Sequence, residues 1–78
     1  MNTKELPLAD QLQDTFRKGA HTKGYNLAVL ELDHALVIQG KVKTFFAKQM
    51  AQEEAGRFLK VKQQQGLGLM LRNEIVVG

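Results

Sequence analysis

The sequence predicts an α+β domain of element order αββαβ, a two-layer sandwich in which two helices cover one face of a three-stranded sheet. Three observations carry this. Apolar residues recur at helical spacing over residues 7–19; two alternating segments flank a turn between residues 26 and 42; and a long amphipathic stretch from Thr44 leads into a last alternating segment, 69–77. Each strand then offers one apolar side and each helix one apolar stripe, so two layers suffice to bury them.

In the first helix, Leu8, Ala9, Leu12, Phe16 and Gly19 share a face, and Pro7 suits a first-turn position where its missing N–H costs nothing. Asp10 lies near the positive end of the helix dipole. Gly19 and the run His21-Thr22-Lys23-Gly24 supply a stop and a loop. Tyr25 then reads as a packing residue at the entry to the first strand.

Asn26–Leu32 and Ala35–Val42 read as strands of a hairpin turning near Asp33-His34, two residue types that tolerate left-handed backbone. A two-residue turn sets Glu31 on the face of Leu36 and Ile38, whereas a three-residue Asp33-His34-Ala35 connection sets Leu30 and Leu32 there. A one-residue slip exchanges every side chain between faces, so the expectation is the register that buries leucines. Gly40, inside a strand, is expected where the backbone bends or approaches the second helix closely.

Thr44 is a natural N-cap for a helix over residues 44–61, with Phe46, Ala47, Met50, Ala51, Ala55, Phe58 and Leu59 as its apolar stripe. Glu53 and Arg57 have i,i+4 spacing for an ion pair. Gly56 is costly in a helix interior, about 1 kcal/mol against alanine. Residues 62–68 read as a loop. The last strand sets Leu69, Leu71, Ile75 and Val77 on one face and Met70, Arg72, Glu74 and Val76 on the other, with Asn73 interrupting the apolar face; a buried asparagine satisfying a bulge or loop carbonyl is the expectation there.

Seventy-eight residues make a single domain, its core within about residues 7–77, because a chain this short hides only about 60% of its unfolded surface. With 44% hydrophobic residues and one Pro it is globular. No apolar run is long enough to span a membrane. The start, Met1-Asn2-Thr3-Lys4-Glu5, lacks a signal peptide's apolar core; the expected compartment is the cytoplasm, or the periplasm and cell envelope if a leader was removed.

Several chemistries are excluded or disfavoured. The chain has neither Ser nor Cys, which removes Ser-His-Asp and Cys-His nucleophiles, disulfides and thiolate metal sites. His21 and His34 fall in separate loops without ligand spacing, so no metal is expected. Glu53 and Glu54 point about 100° apart on a helix, which disfavours paired acid and base. Gly66-Leu67-Gly68 precedes a strand, where a phosphate loop would open a helix. The expectation is a protein without enzymatic activity or cofactor.

The net charge of +3 is unevenly distributed: residues 39–62 hold six basic and two acidic side chains, a local +4. That charge belongs to the second strand and the long helix, with Lys41, Lys43 and Lys48 clustered around their junction.

Leu36-Val37-Ile38-Gln39-Gly40-Lys41-Val42, the helix segment Ala47-Lys48-Gln49-Met50-Ala51 and the closing Asn73-Glu74-Ile75-Val76-Val77 together resemble the BON domain, a small αββαβ module found mostly in bacterial envelope proteins. The resemblance spans residues 7–77. His34 departs from it, standing where the family has glycine. It implies a non-catalytic binding module that engages anionic phospholipid or an envelope protein partner, here through Lys41, Lys43, Phe45 and Lys48, with an outward phenylalanine wedging into lipid or a partner. Two other readings stand beside it. A basic domain of this size fits nucleic acid, although it lacks the Gly-x-x-Gly clamp and paired strand aromatics of common RNA-binding folds. A structural role, with an exposed sheet edge pairing to another copy, is the third.

Overall fold

The computed structural model describes residues 7–20, 22–66 and 68–78; the expectations for His21 and Leu67 lie outside them. The order is α1 (Leu8–Lys18), β1 (Leu27–Leu32), β2 (Ala35–Val42), α2 (Phe45–Gln64) and β3 (Met70–Val77). The sheet order is β1-β2-β3, with β1 antiparallel and β3 parallel to β2. The predicted αββαβ architecture is the one observed.

Local chemistry sets the helix ends. Pro7 is the N-cap of α1, its carbonyl accepting the Gln11 N–H at 3.0 Å. Beyond the last turn, the wholly buried Thr22 donates its hydroxyl to the Phe16 carbonyl at 2.6 Å, tying the loop to the helix end. Thr44 caps α2 by accepting the Ala47 N–H at 3.0 Å. This helix runs three residues beyond the expected end at 61, because Lys62, Gln63 and Gln64 carry no helix breaker and the first left-handed residue is Gly66, φ +93°.

The core lies between the sheet and the helices: Leu12 and Phe16 of α1 and Ala47, Ala51, Ala55 and Leu59 of α2 pack on Leu27, Val29, Leu36, Ile38, Val42, Leu69 and Ile75. The alanines form an i,i+4 row that lets α2 sit close to β3. Strand β3 alternates as the sequence predicts.

Four expectations are corrected. The hairpin has a two-residue turn, with Leu32 opposite Ala35 and Glu31 opposite Leu36. Asp33 and His34 both take left-handed backbone, φ 47° and 64°, the turn type whose twist matches the flanking strands. Turn geometry thus outweighs leucine burial: Leu30 and Leu32 lie on the open face, 42% and 51% exposed, while Glu31 stays solvated at the hairpin end. Gly40 is indeed a close approach, but to β1: a Cβ there would stand 2.7 Å from the Asn26 carbonyl oxygen and 2.8 Å from Leu27 Cδ2, at φ +152°.

Phe46 leaves the apolar stripe and is 60% exposed, because the row that faces the core is Ala47, Ala51, Ala55 and Leu59 and the residue before Ala47 points about 100° away from it. Met50 and Phe58 are half-buried. Finally, Arg57 pairs with Glu54, one turn back, and Glu53 accepts from Gln49; the i,i+3 partner captures the guanidinium that the i,i+4 spacing assigned to Glu53.

Candidate functional site

Strand alternation and one cap build the end of the molecule where β2 meets α2. Along β2 the buried Val42 separates the exposed Lys41 and Lys43, since neighbours on a strand point to opposite faces. Thr44 then reverses the chain and its side chain fixes the first turn. Phe45 and Phe46 follow at the first two helical positions, 78% and 60% exposed, while Ala47 turns inward. Two adjacent solvent-facing phenylalanines are a local apolar patch.

The electrostatics of this tip are of one sign. The first turn of α2 holds no acidic residue, so the positive end of its dipole is uncompensated by a side chain. The ion pairs among the described residues engage Arg17, Lys18, Arg57 and Arg72; Lys41, Lys43 and Lys48 have no carboxylate partner there.

The candidate residues come to one end of the fold but to two flanks of α2. Lys41 and Lys43 line a cleft of about 400 Å³ with Tyr25, Asn26, Thr44 and Ala47. Phe45 and Lys48 border a shallower depression of about 290 Å³ with Gln49, Gln52 and Asn73. Asn73 is half-buried and, among the described residues, serves no loop carbonyl, against the expectation: its amide donates to Gln52 Oε1 at 2.7 Å and its oxygen accepts the Ile75 N–H at 3.0 Å. Among the described residues no three His, Cys, Asp or Glu side chains gather in a way that would hold a metal ion.

Sequence reasoning missed Phe46, which it gave to the core, and Asn26, which borders the cleft through the approach of β1 to Gly40. The signal for Phe46 was the i,i+4 row Ala47, Ala51, Ala55, Leu59, which leaves Phe46 at its edge. No helix among the described residues is long and apolar enough to cross a membrane. No protein-family model matches the chain, and neither the curated proteins nor the solved structures contain a significant match to it.

Proposed function

We propose that this chain is a non-catalytic, BON-like binding module that engages an anionic phospholipid surface through the tip where β2 meets α2. The observation that carries the proposal is the pair of exposed phenylalanines, Phe45 and Phe46, flanked by Lys41, Lys43 and Lys48, which have no carboxylate partner among the described residues. Each basic residue close to an anionic membrane contributes about 1 kcal/mol. Burying a phenylalanine side chain contributes about 1.5–3 kcal/mol. Three lysines and two aromatics therefore suffice for reversible, salt-sensitive attachment, while an aqueous protein face needs neither phenylalanine.

A nucleic-acid reading is less well supported, because the open sheet face carries Leu30, Val37, Met70, Arg72 and Glu74 and no aromatic on which a base would stack. An envelope protein partner remains the other occupant that the BON resemblance implies.

The test is sedimentation with phosphatidylglycerol vesicles at low salt, beside phosphatidylcholine vesicles and a short RNA. The wild-type chain is expected to pellet with the anionic vesicles only. The K41E/K43E/K48E variant is expected to stay in the supernatant with an unchanged circular dichroism spectrum. Equal recovery of both proteins, or no wild-type binding, overturns the proposal.

A further inference from the structure

Strand β3 is the open edge of the sheet. Its Met70 N–H bonds to His34 and the Gly78 N–H to Val42, each at about 3 Å. The two-residue period of the ladder therefore turns the main-chain groups of Leu71, Asn73, Ile75 and Val77 away from β2. Side chains hold two groups on this outer side: Asn73 the Ile75 N–H, Gln63 the Leu69 carbonyl. The opposite edge is closed differently. Gln13 of α1 donates to the Leu27 carbonyl and accepts the Val29 N–H, so its amide occupies the place of a neighbouring strand on β1.

The sequence of the open edge is chemically palindromic about Asn73. Met70-Leu71-Arg72-Asn73-Glu74-Ile75-Val76 reads apolar, apolar, basic, amide, acidic, apolar, apolar. We propose that two copies of this chain pair through β3, antiparallel about a two-fold axis at Asn73, to make one continuous six-stranded sheet. In that register Arg72 of each copy lies directly opposite Glu74 of the other on the open face, and the exposed Met70 lies opposite the exposed Val76. On the helix side Leu71 meets Ile75. The outward-facing odd residues fall opposite one another, as a hydrogen-bonded antiparallel pair requires.

Neighbouring registers lack this match. A shift of two residues one way sets Arg72 against Arg72, and the other way Glu74 against Glu74, and like charges directly opposite are destabilising. The dimer replaces the side-chain partners of Ile75 and Leu69 with main-chain ones, and exchanges the Arg72–Glu74 pair that each chain makes with itself at 2.8 Å for two pairs across the strands. Helix α2 stands over β3, so the two-fold also brings the two copies of α2 side by side. On that flank lie Gln52 and Gly56, and a Cβ on Gly56 would have no atom within 4 Å; the missing side chain leaves space for the second helix. Because the two-fold uses the β3 edge of both copies, association through β3 stops at two copies.

Sedimentation equilibrium over a concentration series tests this with R72E, E74R, the R72E/E74R double variant and an equimolar mixture of the two single variants. Wild type is expected to approach twice the chain mass. Each single variant should weaken the dimer by about tenfold or more, since two attractive cross-strand pairs become repulsive. The double variant and the mixture should both recover it, because opposite charges again face each other. A monomeric wild type at every concentration, unaffected single variants, or failure of both rescues overturns the proposal. Amide exchange on the wild-type chain gives an independent readout: protection of Leu71 and Asn73 should rise with concentration, and constant protection would contradict the pairing.

Discussion

Gln13 on α1 reaches the outer edge of β1, where its side-chain oxygen accepts the Val29 N–H at 3.0 Å while its amide nitrogen donates to the Leu27 carbonyl. One side chain thereby satisfies a donor and an acceptor of the strand and joins the helix layer to the sheet layer. Gln13→Ala should lower stability by about 1–3 kcal/mol, the cost of leaving such groups without partners, read as a shift in urea midpoint at unchanged slope. An unchanged midpoint would mean that water replaces the amide without cost.

The two glycines that interrupt regular elements should respond with opposite sign. Gly40→Ala forces a Cβ against the Asn26 carbonyl and Leu27 in a backbone conformation that L residues rarely adopt, so a loss of several kcal/mol is expected. Gly56→Ala fills open space on α2 and should raise monomer stability by about 0.5–1 kcal/mol. Equal midpoints for the two variants would refute the close approach of β1 at Gly40.

Burial separates three large apolar residues that the sequence treats alike. Ile75→Ala, in the core, is expected to cost about 2–5 kcal/mol. Phe58→Ala should cost less than a full core truncation, because Phe58 is half-buried with the Lys62 ammonium 5.4 Å from its ring centroid. Phe46→Ala should fall within about 0.5 kcal/mol of wild type, as surface changes do. Thermal denaturation of the three variants checks the order; a Phe46→Ala loss as large as that of Ile75→Ala would place Phe46 in the core after all.

Much of this fold was legible because burial imposes periods that sequence displays. The alternation of Leu69, Leu71, Ile75 and Val77 and the row Ala47, Ala51, Ala55, Leu59 identified the buried faces directly. The hairpin register was not legible from that rule, since the left-handed backbone of Asp33 and His34 fixed the pairing and left Leu30 and Leu32 on the open face. Gln13 was equally hidden: an amide on the polar side of a helix gives no sign that a strand edge lies within reach. For the candidate site, the lysines and Phe45 could be read from local charge and position, whereas Phe46 required knowing that the alanine row, and not the phenylalanines, is the centre of the buried stripe.

The turn offers its own check. His34→Gly relieves a non-glycine residue at φ 64° and gives Asp-Gly, a favoured sequence for two-residue hairpins. A gain of about 0.5–1 kcal/mol is expected, measured by chemical denaturation. A loss would show that the His34 side chain makes a contribution larger than its backbone strain.

In the proposed attachment the aromatic tip of α2 enters an anionic lipid surface. The chain has no Trp, so Phe45→Trp introduces a single reporter at the most exposed aromatic position. With phosphatidylglycerol vesicles at low salt its emission should move to shorter wavelength and be quenched by brominated acyl chains, and both effects should vanish with phosphatidylcholine vesicles or on adding salt. An emission maximum that stays at its aqueous position with anionic vesicles, without quenching, would contradict insertion of this tip.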